Sequence, residues 1–116
     1  MAVLSEAEVL RVFVGSLDKH EHRPLYKVIV EAARQHGMAG ATVLKGVRGF
    51  GARGQVHAAK LLRVSENLPV VVEIVDTPER IEAFLPEVRA ITPDGLVTVK
   101  KARMVKCRRK ECQERL

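Results

Sequence analysis

The 116-residue chain carries 47% hydrophobic residues, 3% aromatics and a formal net charge of +6, which fits one globular domain and excludes a second. Residues 1–99 hold 12 basic and 12 acidic side chains, whereas residues 100–116 hold 8 and 2. The excess positive charge is therefore confined to one end, and a polyanion-binding field over the whole surface is excluded.

Along the chain, Val9 to Gly15 (VLRVFVG) sets Leu10, Val12 and Val14 on one face and Arg11 and Phe13 on the other, as a strand does. Pro24 suits a first helical position, and Leu25, Val28, Ile29, Ala32 and Ala33 follow at helical spacing until Gly37 interrupts. Ala41 to Val47 returns to strand character, with Thr42 and Leu44 alternating against Val43 and Lys45. Leu68 to Asp76 (LPVVVEIVD) is the most apolar segment and too short for an ordinary helix, so it reads as a central strand. Asp76-Thr77-Pro78-Glu79 then opens a helix bearing Ile81, Phe84, Leu85 and Val88, with Pro86 placed to kink it or end its first half. Asp94-Gly95 turns into a last strand over residues 96–106.

The order βαββαβ predicts an α+β fold of the ferredoxin-like kind, with two helices on one face of a four-stranded antiparallel sheet in spatial order 4-1-3-2. Its central strands carry apolar residues on both faces: Phe13 lies behind Leu10, Val12 and Val14, and Val71 and Val75 lie behind Val70, Val72 and Ile74. A sheet with one uncovered face should be polar there. Burial of that face against other copies of the chain is the expected remedy. The organisation expected is an N-terminal extension over 1–8, a domain over 9–106 and a basic tail over 107–116.

About twenty residues separate the second and third strands, where a hairpin needs two to five. This segment, 47–67, is framed by four of the eight glycines, Gly46, Gly49, Gly51 and Gly54, and holds Arg48, Arg53, His57, Lys60 and Arg63. Such a set suits an anion, because glycine amides converge on it and arginines pair with it through two bonds. The spacing matches neither the P-loop nor the dinucleotide fingerprint.

The run Gly46-Val47-Arg48-Gly49-Phe50-Gly51, with Gly54, Gln55 and His57, resembles the base of the T-loop of PII signal-transduction proteins. Leu68-Pro69 leading into Glu73-Ile74-Val75 resembles their third strand, Asp94-Gly95 their B-loop, and Ala102-Arg103-Met104-Val105 their closing A-R-V-V. Pro24-Leu25-Tyr26 and Gly40-Ala41-Thr42-Val43-Leu44 extend the likeness to a PII-like family of small bacterial proteins filed under a domain of unknown function. The resemblance implies a homotrimeric regulator that binds an adenine nucleotide between subunits. It also implies that the 47–66 loop contacts a target protein, with a membrane transporter or channel as the expected kind. Carried over, the ligand residues are Gly49, Phe50, Gly51, Asp94, Gly95, Lys106 and Arg108, with either Arg53 or Gln55 in place of the metal-coordinating glutamine. The B-loop here lacks the usual extra glycines and lysine, and the one tyrosine, Tyr26, lies outside the loop, so uridylylation is not expected.

Other features are set aside. His20 and His22, with Glu21 and Asp18, form the densest ligand-like cluster, and His57 adds a third histidine, but one short loop rarely supplies the four ligands of a zinc site. A divalent-metal-binding trimer of the cation-tolerance type, which shares the fold, stands as the alternative. Cys107 and Cys112 form no disulfide framework, and no serine, cysteine or carboxylate pair makes a catalytic constellation, so no enzyme is expected. The basic run Lys100 to Lys110 could bind nucleic acid or acidic lipid, in either case without specificity. With no apolar run near the roughly 20 residues that cross a bilayer, and with Glu6 and Glu8 where a signal peptide is basic, the expected compartment is the cytoplasm.

Overall fold

The computed structural model describes residues 3–50, 56–58 and 67–107, the backbone alone for 56–58. Four strands make the main sheet: β1 (Ser5–Gly15), β4 (Gly40–Lys45), β7 (Pro69–Asp76) and β8 (Leu96–Met104), antiparallel in the order β4-β7-β1-β8. This is the predicted ferredoxin-like arrangement, with α1 (Leu25–Gln35) and α2 (Pro78–Ile91) as its two helices. Two short hairpins are added. β2 (Lys19–His20) pairs with β3 (Arg23–Pro24), and β5 (Arg48–Phe50) pairs with β6 (Val56–Ala58) inside the segment expected as one long loop.

The core follows the two periodicities. Leu10, Val12 and Val14 of β1 and Val70, Val72 and Ile74 of β7 point to the helices. There they meet Leu25, Ile29, Ala32 and Ala33 of α1 and Ile81, Phe84 and Val88 of α2. α1 stops because Gly37 takes φ +67°, which returns the Met38 amide to the Ala33 carbonyl at 3.0 Å. α2 starts on Thr77, whose Oγ1 accepts from the Arg80 amide at 3.4 Å, with Pro78 in the first turn.

Several boundaries move. β1 begins at Ser5 rather than Val9, because residues 5–8 pair with Lys101–Met104 of β8 and Ala7 is buried; part of the expected extension is therefore strand. Glu6 stands opposite Arg103 and Glu8 opposite Lys101, so the basic strand faces acidic partners. Pro24 precedes α1 instead of opening it, since its ψ of 126° is extended. Pro86 neither ends nor splits α2: it sits on the exposed side, where the carbonyl it leaves unbonded can be hydrated. β8 ends at Met104, short of residue 106.

The helix-free face is organised in rows across the strands. Leu44, Val71, Phe13 and Leu96 stand in register as one apolar row. The next row is Thr42, Glu73, Arg11 and Thr98, in which Arg11 Nε donates to Glu73 Oε2 at 2.9 Å. Leu44 and Leu96 are about half exposed, at 51% and 47%.

Candidate functional site

Two clefts open at opposite ends of the sheet. At the end where β1 stops and β7 and β8 begin, Val14, Asp18, Lys19, Leu25 and residues 91–95 enclose about 200 Å3. Lys19 is here set against Asp18 and Asp94, so the cleft carries no surplus of positive charge for an anion. Asp18 is also engaged, its Oδ2 accepting from the Gly15 amide at 2.8 Å. A Cβ on Gly95 would lie 2.3 Å from Thr92 Cγ2 and 3.5 Å from the Phe13 carbonyl oxygen. Thr92 is buried, and its Oγ1 has no hydrogen-bond partner among the described residues. Gly95→Ala should therefore cost roughly 1–3 kcal/mol by overpacking, read as a lower urea midpoint; an unchanged midpoint would mean that Thr92 gives way freely.

At the other end, Gly37, Met38, Ala39, Gly40, Val75 and residues 104–107 line a larger cleft of about 420 Å3. Its wall is the turn from α1 to β4, rich in backbone and short of side chains, and Lys106 is the one charged side chain among the described lining residues. Asp76, 1% exposed at the end of β7, holds that wall. Its Oδ2 accepts from the Ala39 amide at 3.0 Å and from Arg80 Nε at 2.9 Å, and its Oδ1 accepts from the Thr77 amide at 2.7 Å. Arg80 in turn donates to the His36 carbonyl, and the His36 side chain pairs with Glu87 and meets the edge of Phe84. Burial alone would raise the Asp76 pKa, but the Thr77 amide, the Arg80 side chain and the Ala39 amide together hold it below the usual carboxylate value.

The expected ligand residues are thus divided between the two ends. Gly49 and Phe50 lie in β5, next to Pro69, and Asp94 and Gly95 lie in the turn after α2. Lys106 follows the far end of β8, whose nine residues rise about 26 Å. Gly51, Arg53, Gln55 and Arg108 lie outside the described residues. Sequence reasoning missed Gly37–Gly40 and Val75 as parts of a cleft and Asp76 as the residue that holds its wall; Gly37 and Gly40 bracketing a strand entry were the available signal. His20 is half-buried in β2, His22 is exposed in a turn with φ 71°, and His57 lies in β6. Among the described residues no group of three or more His, Cys, Asp or Glu could hold a metal ion, and no helix is long and apolar enough to cross a membrane.

Residues 7–104 match the DUF190 family (Uncharacterized ACR). A UPF0166 protein of Aquifex aeolicus (strain VF5) is 35% identical over 98 residues, covering 84% of this chain and 92% of the relative. CPII, a nitrogen regulatory PII-like protein from Thiomonas intermedia K12 solved with ADP, AMP and bicarbonate, superposes with a TM-score of 0.61 at 17% identity over 90% of this chain and 92% of its own. The divalent ion tolerance protein CutA1 from Ehrlichia chaffeensis reaches 0.52 at 12% identity, over 92% and 89%. The chain therefore shares its fold with both proteins, and that fold does not by itself favour a metal-binding role.

Proposed function

The chain belongs to the DUF190 family, and from that membership and the two clefts we propose that it is a PII-like regulatory protein that binds an adenine nucleotide between its own subunits. One observation carries the reading. Lys106 lies at one end of the sheet, and Asp94 and Gly95 in one place and Gly49 and Phe50 beside Pro69 in another lie toward the opposite end, so a ligand that touches both ends would be shared by two copies. The apolar row of Leu44, Val71, Phe13 and Leu96 on the helix-free face supports self-association, a homotrimer in this reading. CPII, of like fold, was solved with ADP and AMP, which supports the choice of ligand. The 47–66 loop, in which Val47 and Phe50 are exposed at 78% and 72%, is the contact for a target protein, and no catalytic step is assigned.

Lys106 and Arg108 are assigned the phosphates, with the turn Gly37–Gly40 and Val75 offering backbone and apolar surface to the remainder of the nucleotide. Isothermal titration with ATP, ADP and AMP should give saturable heat for the wild type. The Lys106→Ala/Arg108→Ala variant should lose about 1.5–3 kcal/mol of affinity per charge-assisted contact removed. Absence of heat with all three nucleotides at high protein concentration would remove the nucleotide and leave the self-association to be judged by light scattering.

A further inference from the structure

The C-terminal root of the 47–66 loop is not joined to the domain by β7 alone. Asn67 lays its side chain across the turn that follows β1: Leu17 N donates to Asn67 Oδ1 at 2.8 Å, and Asn67 Nδ2 reaches Asp18 Oδ1 at 3.5 Å. The fit depends on Gly15, where a Cβ would stand 2.3 Å from Asn67 Oδ1 and 2.6 Å from Nδ2. Leu68 repeats the attachment, its amide donating to Ser16 Oγ at 2.9 Å and its carbonyl accepting from the Ser16 amide at 2.8 Å. The other root meets the same place, because the Gly46 amide donates to the Pro69 carbonyl at 2.7 Å and a Cβ on Gly46 would meet Pro69 Cγ at 2.9 Å. Asp18 lines the cleft beside Thr92, Asp94 and Gly95, and its carbonyl accepts from the first amide of α1 at 2.8 Å.

We propose that Asn67 is a positioning residue that links the Asp18 wall of this cleft to the roots of the loop, so that whatever shifts the wall resets the loop. Its amide suits the task because it accepts from a backbone amide and donates to a carboxylate at once, which neither aspartate nor alanine can do. Coupling of this kind is reciprocal: a target that fixes the loop must also fix the cleft wall. The inference rests on the proposed function for what occupies the cleft and the loop, and not for the link itself.

Hydrogen exchange on the full-length protein tests it, read at Leu17, at Arg48–Phe50 and, as an internal reference, at the central amides of β1 and β7. Asn67→Ala, Asn67→Asp and Asp18→Ala should each speed exchange at Leu17 and Arg48–Phe50 by about five- to tenfold with the reference amides unchanged. The Asn67→Ala/Asp18→Ala double variant should do no more at Arg48–Phe50 than the stronger single change, because both remove the Asn67 Nδ2–Asp18 Oδ1 bond, while the Gly15 amide that Asp18 also holds is released in Asp18→Ala and in the double variant alike. Effects that multiply, or that spread equally to the reference amides, would overturn the proposal, as would wild-type exchange at Arg48–Phe50 in Asn67→Ala. ADP should alter exchange at Arg48–Phe50 in the wild type and leave Asn67→Asp unresponsive, and a response retained by that variant would overturn transmission through Asn67. If calorimetry shows that ADP does not bind the wild type, the nucleotide reading fails and the ligand-free comparison alone decides the link.

Discussion

Asp76→Ala should destabilise the fold by roughly 2–4 kcal/mol. The substitution leaves the Ala39 and Thr77 amides without their acceptor and frees Arg80, about half exposed, from its charge partner. Because Arg80 can turn to water, the loss falls mainly on the two amides and on the α1–β4 turn that they secure. Asp76→Asn keeps the shape but sets its donor-only amide nitrogen against either the Thr77 amide or the Ala39 amide and Arg80, and should lose nearly as much. The two variants also differ from the wild type in their response to acid. A carboxylate held below its unfolded value contributes stability that is complete above the unfolded pKa of about 4 and disappears as the pH falls through the folded one. Wild-type stability should consequently fall more steeply below about pH 4 than that of Asp76→Asn, measured by urea unfolding at each pH. Parallel profiles for the two proteins would show that the Asp76 charge carries none of the stability.

The second large effect concerns the helix-free face. If this face is the self-association surface of the proposed function, Val71→Glu is expected to yield monomers that keep the native sheet. Val71 alternates with the buried Val70 and Val72, so its side chain leaves the core untouched, while its neighbours in register are Leu44 and Phe13. A carboxylate there would be desolvated in every copy without a partner, at a cost of several kcal/mol per subunit. Light scattering should report the change in mass and circular dichroism the unchanged secondary structure. An assembly of wild-type mass in the variant would place the contact elsewhere. The neighbouring Arg11–Glu73 pair contributes little while half exposed, but it allows the middle of the face to be covered without stranding a charge.

The parts of this fold that could be read from the sequence are those governed by periodicity. Of the five positions that the α1 pattern marked, Leu25, Ile29, Ala32 and Ala33 are buried and Val28 is half-buried, and the alternation of β7 holds without a break from Pro69 to Asp76. What could not be read depends on contacts between distant residues or on local conformations that the residue types disfavour. Glu21 and His22 adopt φ of 50° and 71°, where asparagine and glycine would have signalled the turn. Arg48–Phe50 finds its partner in Val56–Ala58 through pairing that composition does not announce. Asp76 read as part of a helix start, and nothing near it in the sequence points to Ala39, 37 residues away. Of the candidate site, the glycines and the terminal lysine were visible as motifs, but their separation along the sheet appears only once the strands are in register.

That separation links ligand capture to mass action. Under the proposed function each protomer carries two unlike half-sites, and none is completed until another copy arrives. Nucleotide affinity would then not be a fixed property of the chain. It would rise with the amount of protein present, since free energy gained on capture also draws the subunits together. Such a regulator would register its own abundance along with its ligand, falling silent on dilution even where nucleotide is plentiful.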